Sequence, residues 1–139
     1  MAEPTVFIVD DHEGVRDSIA ELVDSVGLRH ASFPSAAAFL DAFDPAAPGC
    51  LVLDVRMAHM SGPQLQERLA AMGARLPIVF VSAHADIDVA VRTIRAGAVD
   101  FVTKPYRDQQ LLDSINEALA RDVAERGTPG AGGAFGARL

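Results

Sequence analysis

The chain alternates short apolar runs with longer segments whose apolar residues recur at helical spacing. Apolar runs without an exposed polar face are typical of parallel strands, because helices cover both faces of a parallel sheet. The segments between them carry one apolar stripe each, as crossover helices do. The sequence therefore predicts an α/β fold: a doubly wound, five-stranded parallel sheet in which each strand is followed by a helix. The predicted strands are 5–9, 28–33, 50–53, 78–81 and 101–103.

Glycine, proline and capping residues mark the helix ends. Gly27 and Gly97 follow apolar stripes and predict the ends of the first and fourth helices. Pro34-Ser35 and Pro63 predict the starts of the second and third helices, since proline suits a first helical turn. Asp86 resembles the cap of the fourth helix.

Length and charge restrict the classes of protein that the chain can belong to. Its 139 residues suffice for one domain, and a net charge of −7 argues against nucleic-acid binding by this chain's own surface. The single cysteine excludes an internal disulfide, and no secretory signal or membrane-length apolar run is visible, so we expect a cytoplasmic chain without a membrane partner. The composition turns to glycine, alanine and proline near the C-terminus. We predict one domain over 1–125 and a linker or tail over 126–139.

Five chemically matched residues follow the predicted strands. Asp10 and Asp11 follow the first strand, Asp54 the third, Ser82 the fourth and Lys104 the fifth. In a doubly wound sheet, sites form outside the carboxyl ends of the strands, where the strand order reverses. Lys104 is also the one lysine among twelve basic residues, which suggests that its position needs a compact ammonium group. We therefore expect three carboxylates, a hydroxyl and an ammonium on one rim of the sheet.

Such a set of groups fits phosphoryl transfer. Clustered carboxylates repel one another and require a cation, and hard oxygen ligands suit Mg²⁺. Asp54 could then act as a carboxylate nucleophile towards phosphorus. Lys104 and Ser82 could bind the phosphoryl oxygens, by charge and by a hydrogen bond respectively.

Each residue taken alone also has a plain structural interpretation. Asp10 and Asp11 could cap the first helix, and Asp54 could enter a turn at a strand end. Ser82 alone is more easily structural, and Lys104 alone would be a solvated surface charge. These interpretations do not explain why all five residues occupy equivalent positions after the strands. The four histidines lack metal-ligand spacing, so we assign no zinc site.

Five separated motifs closely resemble the receiver domain of two-component response regulators. They are VDDH at 9–12, LDVRM at 53–57, MSG at 60–62, VSAHAD at 81–86 and AGAVDFVTKPY at 96–106. The resemblance covers about nine tenths of the chain. It implies the flavodoxin-like (βα)5 fold with strand order 2-1-3-4-5.

The resemblance also implies the role of each site residue. Asp54 would be the phosphoacceptor, and Asp10, Asp11, Asp54 and the backbone carbonyl of Arg56 would hold Mg²⁺. Lys104 would contact the phosphoryl group and form a cis bond to Pro105. The loop departs from the family pattern at position 58, where the usual proline is an alanine, which could alter metal or kinase contacts.

A switch is implied as well. Ser82 would move towards the phosphoryl group, and Phe101 would turn inward and change the face made by the fourth helix, fifth strand and fifth helix. Arg56 and His84 would set the lifetime of the phosphoryl group. Our candidates for contacts on that changed surface, here called the output face, are Val91, Arg92, Arg95 and Val99.

The expected function is thus that of a receiver phosphorylated by a sensor histidine kinase, with a possible homodimer on phosphorylation. Its output would be transcription through a DNA-binding domain beyond this chain. Such a chain is no enzyme on other substrates, since it catalyses only its own phosphorylation and dephosphorylation. Three alternatives stay open: a stand-alone relay or sink receiver, a degenerate receiver that is purely an interaction module, and a phosphatase of the haloacid-dehalogenase type. The phosphatase needs a second aspartate where this sequence has Arg56.

Overall fold

A computed structural model describes residues 3–126. Five strands and five helices alternate along these residues. The strands are β1 (Thr5–Val9), β2 (Arg29–Phe33), β3 (Gly49–Asp54), β4 (Ile78–Ser82) and β5 (Asp100–Thr103). The helices are α1 (Glu13–Ser25), α2 (Ala36–Ala42), α3 (Gly62–Ala71), α4 (Ile87–Arg95) and α5 (Asp108–Arg126).

All four strand pairings are parallel, in the order β2-β1-β3-β4-β5. The predicted fold and strand order are therefore confirmed. The order reverses between β1 and β3, which are neighbours although β2 lies between them in sequence. The rim beside β1 and β3 is where a doubly wound sheet binds its ligands.

Two apolar cores lie on the two faces of the sheet, and together they bury the central strands on both sides. Every residue of β3 and of β4 is buried. One core joins the sheet to α1 and α5, with Ile19 and Ile115 among its fully buried members. The other packs α2 and α3 on the opposite face, around Phe39 and Leu65. The polar strand β2 lies at the edge, in keeping with its mixed sequence.

Side-chain caps set the starts of three helices. The Ser35 hydroxyl accepts a hydrogen bond from the Ala38 amide at 3.1 Å, and Asp86 accepts one from the Val89 amide at 3.1 Å. Ser61 and Gln64 form a reciprocal capping box at the start of α3. The predicted starts at Ser35 and Asp86 are confirmed.

The far end of α5 contacts the other end of the sheet. Asp122 is 2% exposed and accepts a hydrogen bond from the Gly49 amide at 2.9 Å. Arg126 donates to both Asp122 carboxylate oxygens, at 2.8 and 2.9 Å, and to the carbonyl oxygen of Ala47 at 2.9 Å. The described part of α5 includes Arg126, the first residue of the predicted linker over 126–139. The rest of the predicted linker lies outside the described residues.

Cys50 lies beside this contact and is fully buried. Burial, and secondarily the Asp122 charge, raises the pKa of the Cys50 thiol to about 12. A free, buried cysteine of this kind packs as a small apolar side chain. Within 3–126, no helix is both long enough and apolar enough to cross a membrane.

Candidate functional site

The end of β1 supplies two carboxylates with different surroundings. Asp10 is 2% exposed, and its carboxylate accepts a hydrogen bond from the His12 amide at 2.8 Å. The Asp11 residue is exposed. Neither caps α1, because the N-cap residue is His12 and it makes no side-chain cap bond. The helix-cap interpretation of this acidic pair is therefore wrong.

Asp54 is the last residue of β3 and is 8% exposed. The start of α3 crosses directly over it: the Gly62 amide donates to the Val55 carbonyl oxygen at 2.9 Å. A Cβ on residue 62 would overlap the Asp54 carbonyl oxygen and the Phe80 ring, so only glycine allows this approach. The glycine of the MSG motif therefore holds the loop close to the acceptor strand.

The environment of Asp54 disfavours its ionised form in the absence of a cation. Burial, and then the neighbouring charge of Asp10, raises the pKa of the Asp54 carboxyl to about 6. Lys104 and a hydrogen bond from the Arg56 backbone amide oppose that rise. This pKa lies closer to neutral pH than that of an ordinary aspartate, and any cation bound beside the carboxyl would favour the carboxylate.

Four residues bring possible metal-ligand atoms together. One atom from each of Asp10, Asp11, His12 and Asp54 lies within 4.8 Å of the others. Carboxylate oxygens at this spacing fit Mg²⁺, which takes hard oxygen ligands and completes its octahedron with water or phosphate oxygens. The acidic set predicted from the sequence is therefore brought together. The Arg56 carbonyl, also predicted as a ligand, stays a prediction.

His12 is the one member of this cluster that is not an aspartate. Its Nδ1 lies 2.9 Å from an Asp11 carboxylate oxygen and 3.3 Å from one of Asp10. Its position directly after two aspartates in the sequence predicts that it lies near the acidic rim, although the histidines lack the spacing of a zinc site. The imidazole is a neighbour of the acidic cluster and not a distant surface group.

Ser82 and Lys104 join the site from β4 and β5. The Lys104 amide donates to the Ser82 carbonyl oxygen at 2.8 Å, which aligns the two strand ends. Lys104 Nζ lies 4.0 Å from an Asp10 carboxylate oxygen. The Ser82 hydroxyl, in a residue 2% exposed, donates to the His84 carbonyl oxygen at 3.0 Å. All five predicted rim residues are thus gathered at one edge, and the cis bond between Lys104 and Pro105 is confirmed.

The proposed switch and output residues have unequal exposure. Phe101 is half-buried, with its ring centroid 6.2 Å from that of Phe80. On the output face, Val91 is 44% exposed, and Arg92 and Arg95 are exposed. Val99 is half-buried and packs against the core, so it offers less surface than the other three.

Arg56 and His84 are exposed and lie in the loops that follow β3 and β4. The His84 amide donates to the Ser82 hydroxyl oxygen at 3.1 Å. The Arg56 guanidinium reaches the other way, to an Asp86 carboxylate oxygen at 3.8 Å. The two predicted lifetime residues therefore belong to the loops on either side of the acceptor.

Comparison with known proteins agrees with this geometry. Response regulator protein TmoT of Ectopseudomonas mendocina is 50% identical over 117 residues, which are 84% of this chain and 53% of TmoT. Transcriptional regulatory protein TdiR of Thauera aromatica is 48% identical over 124 residues, or 88% of this chain and 55% of TdiR. The chain thus spans about half the length of the curated relatives it matches.

Solved structures show the same likeness. The structure of response regulator StyR superposes with a TM-score of 0.87 at 45% identity, covering 91% of this chain and 64% of StyR. The crystal structure of FixJ-N superposes with a TM-score of 0.79 at 40% identity, covering 86% of this chain and 96% of that one. A family model described as the response regulator receiver domain matches residues 6–116. This chain therefore belongs to the response regulator receiver domain family of two-component systems.

Proposed function

We propose that Asp54 accepts a phosphoryl group from a sensor histidine kinase, with Mg²⁺, and that the modified domain controls an output beyond this chain. The observation that carries the proposal is the convergence of Asp10, Asp11, Asp54, Ser82 and Lys104 at one edge of the sheet. Membership of the receiver family agrees with it. The convergence supplies a nucleophile, a cation site and two groups suited to phosphoryl oxygens.

In the proposed transfer, an Asp54 carboxylate oxygen attacks the phosphorus of a phosphohistidine. The phosphorus–nitrogen bond breaks, its electron pair stays on the imidazole nitrogen, and an aspartyl phosphate forms. Asp10, Asp11, Asp54 and the Arg56 carbonyl would hold Mg²⁺, which supplies neutralisation of the anionic oxygens when bound. Lys104 is placed to add a second positive charge on the side of Asp10.

Ser82 and Phe101 supply the proposed switch. The Ser82 hydroxyl now bonds to the His84 backbone, and a phosphoryl oxygen on Asp54 would be a stronger acceptor for it. Drawing Ser82 towards Asp54 would leave space that Phe101, now half-buried beside Phe80, can fill. The output face would then favour a new partner, such as a second copy of the chain, by a shift in population. Arg56 and His84 would set how long the phosphoryl group persists.

The output itself lies outside this chain. Several relatives are named as transcriptional regulators, and this chain spans about half of their length. We propose that the whole protein has a DNA-binding domain after this one, because the net charge of −7 does not favour DNA contact by this domain. ATP-dependent kinase partners also make the cytoplasm the proposed location.

We further propose that the chain turns over no separate substrate. A haloacid-dehalogenase-type phosphatase would need a second acid at position 56, where this chain has arginine, whose exposed guanidinium pairs with Asp86. The intact set of rim residues also counts against a degenerate receiver. A stand-alone relay uses the same chemistry and differs only in having no output domain attached to it.

Incubation with acetyl phosphate and Mg²⁺ tests the proposal. We expect one phosphoryl group per chain, measured as added mass, stable in acid and cleaved by base as acyl phosphates are. Asp54→Asn should take up none, whereas the matched variant Asp17→Asn on the exposed side of α1 should behave as the parent. Uptake by Asp54→Asn, or rapid release of many phosphates per chain, would overturn the assignment.

A further inference from the structure

Asp86 contacts two partners with its two carboxylate oxygens. Oδ1 accepts the cap hydrogen bond from the Val89 amide at 3.1 Å, at the start of α4. Oδ2 lies 3.8 Å from the Arg56 guanidinium. The Asp86 side chain therefore both caps α4 and forms an ion pair with Arg56, which lies in the loop after β3.

Arg56 in turn contacts both sides of the groove between those loops. Its backbone amide donates to the Asp54 carboxylate, while its side chain reaches Asp86. The groove between α3 and α4 is lined by Asp11, Arg56 and Asp86 among others. Arg56 is thus the residue that connects the carboxylate of Asp54 to the first turn of α4.

The ion pair is suited to being exchanged. The side chains of Arg56 and Asp86 are 62% and 35% exposed, and exposed pairs at such distances are weak. A phosphoryl group on Asp54 would carry close to two negative charges and bidentate acceptors, which guanidinium groups prefer. Arg56 would then have a stronger partner two residues away in its own loop.

The start of α4 is also lightly anchored. Thr93 is the one buried residue in this helix, and Ile87 in its first turn is 76% exposed. Besides the packing of Val89 against the core, the first turn is held by the Asp86 cap and by the pair of Asp86 with Arg56. Losing one of them would loosen the turn without disturbing the core.

Resting on the proposed function, we propose that the Arg56–Asp86 ion pair is an exchangeable link between the acceptor and α4. Arg56 is a positioning residue that pairs with Asp86 when Asp54 is unmodified and with the phosphoryl group when Asp54 is modified. Asp86 thus competes with the phosphoryl group for the Arg56 guanidinium. Phosphorylation releases the first turn of α4 from the β3–α3 loop.

Beryllofluoride, a stable phosphoryl mimic, tests this competition in the parent and in Asp86→Asn. Asparagine keeps an oxygen for the Val89 cap and removes the charge that holds Arg56. We expect Asp86→Asn to bind beryllofluoride with Mg²⁺ about two- to fivefold more tightly, as weak exposed pairs allow. Binding is measured by NMR titration of the amides around Asp54.

Two further variants separate this link from general electrostatics. Asp88→Asn removes an equivalent charge from the first turn of α4, where no ion pair with Arg56 exists among the described contacts, and should change affinity much less. Arg56→Gln should weaken beryllofluoride binding, and adding Asp86→Asn to it should produce no gain. In the parent, beryllofluoride should increase the rate of hydrogen exchange of the Val89 amide. In Arg56→Gln, that rate should already be high in the absence of beryllofluoride.

The outcomes distinguish this inference from the proposed function. If neither the parent nor any variant binds beryllofluoride, the phosphoacceptor proposal is wrong. Two other outcomes would leave the proposed function standing and show that the link between Arg56 and Asp86 is wrong. In one, the parent binds beryllofluoride and Asp86→Asn has the same affinity as Asp88→Asn. In the other, Asp86→Asn raises the affinity as much in the Arg56→Gln background as in the parent.

Discussion

Lys104 and Asp10 form an ion pair across the ends of β5 and β1, with 4.0 Å between the ammonium nitrogen and a carboxylate oxygen. The Lys104 side chain is 27% exposed, whereas that of Asp10 is 3% exposed. The Lys104 charge also opposes the raised pKa of Asp54. One ammonium therefore acts on two carboxylates, which explains why a compact cation at the end of β5 suits this rim.

Replacing Lys104 by methionine keeps an unbranched side chain, one atom shorter, and removes its charge. We expect the rate of phosphorylation by acetyl phosphate to fall by about 100-fold, as when one preorganised charge donor is removed from a reacting group. The pKa of Asp54 should also rise further, because the cation that lowers it is gone. Phosphorylation rates and an NMR titration of Asp54 measure the two effects. Arg107→Met, an exposed residue before α5, is the matched control; equal losses in both variants would contradict the role of Lys104.

Asp54 should make the metal-free domain less stable at neutral pH. Its pKa is about 6 in the folded chain against an ordinary value of 3.8, so its favourable contribution is complete below pH 3.8 and is lost as the pH rises through 6. Asp54→Asn should therefore raise the free energy of unfolding at pH 7.5 by about 2 to 3 kcal/mol. The gain should shrink as the pH falls through 6 to 5. Urea denaturation in the presence of a chelator measures the free energy of unfolding, with Asp17→Asn as the matched control. If Asp54→Asn were less stable than the parent, this account would be refuted.

Mg²⁺ should reverse that instability by binding the folded acidic cluster. At 100 times its dissociation constant, a ligand of the folded state stabilises by about 2.7 kcal/mol. Asp11→Asn removes an exposed member of the proposed ligand set and should abolish most of the gain with little effect on the metal-free chain. Thermal unfolding with Mg²⁺ or with a chelator shows the difference. An Mg²⁺ effect in Asp11→Asn as large as in the parent would exclude this residue as a ligand.

Asp122 and Arg126 should hold the end of α5 on the loop before β3. Arg126→Gln leaves the buried Asp122 carboxylate without its cation, so we expect a loss of about 1 to 3 kcal/mol in the free energy of unfolding. Arg121→Gln breaks a more exposed pair with Glu117 and should cost about 0.5 kcal/mol or less. Urea denaturation compares them. Equal costs would show that the buried carboxylate does not depend on Arg126.

The alternation of apolar runs and amphipathic segments predicts the sheet, the helix starts at Ser35 and Asp86, and the five rim residues. Those features depend on local spacing and on which end of a strand a residue follows, and both can be counted along the chain. The spacing along the chain does not predict that the His12 imidazole directly contacts the carboxylates of Asp11 and Asp10. It also does not predict that Arg126 donates to the Ala47 carbonyl oxygen, because the two residues are far apart in sequence.

The sequence by itself determined the order of elements and the residues able to carry chemistry, because hydrophobic period and residue type are local properties. Only the tertiary structure decided which of those charged side chains lie close enough to interact. The order of the strands in the sheet brings Asp10 close to both Lys104 and Asp54, and Asp11 is left exposed. Packing between loops likewise pairs Arg56 with Asp86, and the packing of α5 pairs Asp122 with Gly49. The physical reason is that a buried charge selects its partner by distance in the folded chain, which spacing along the sequence does not give.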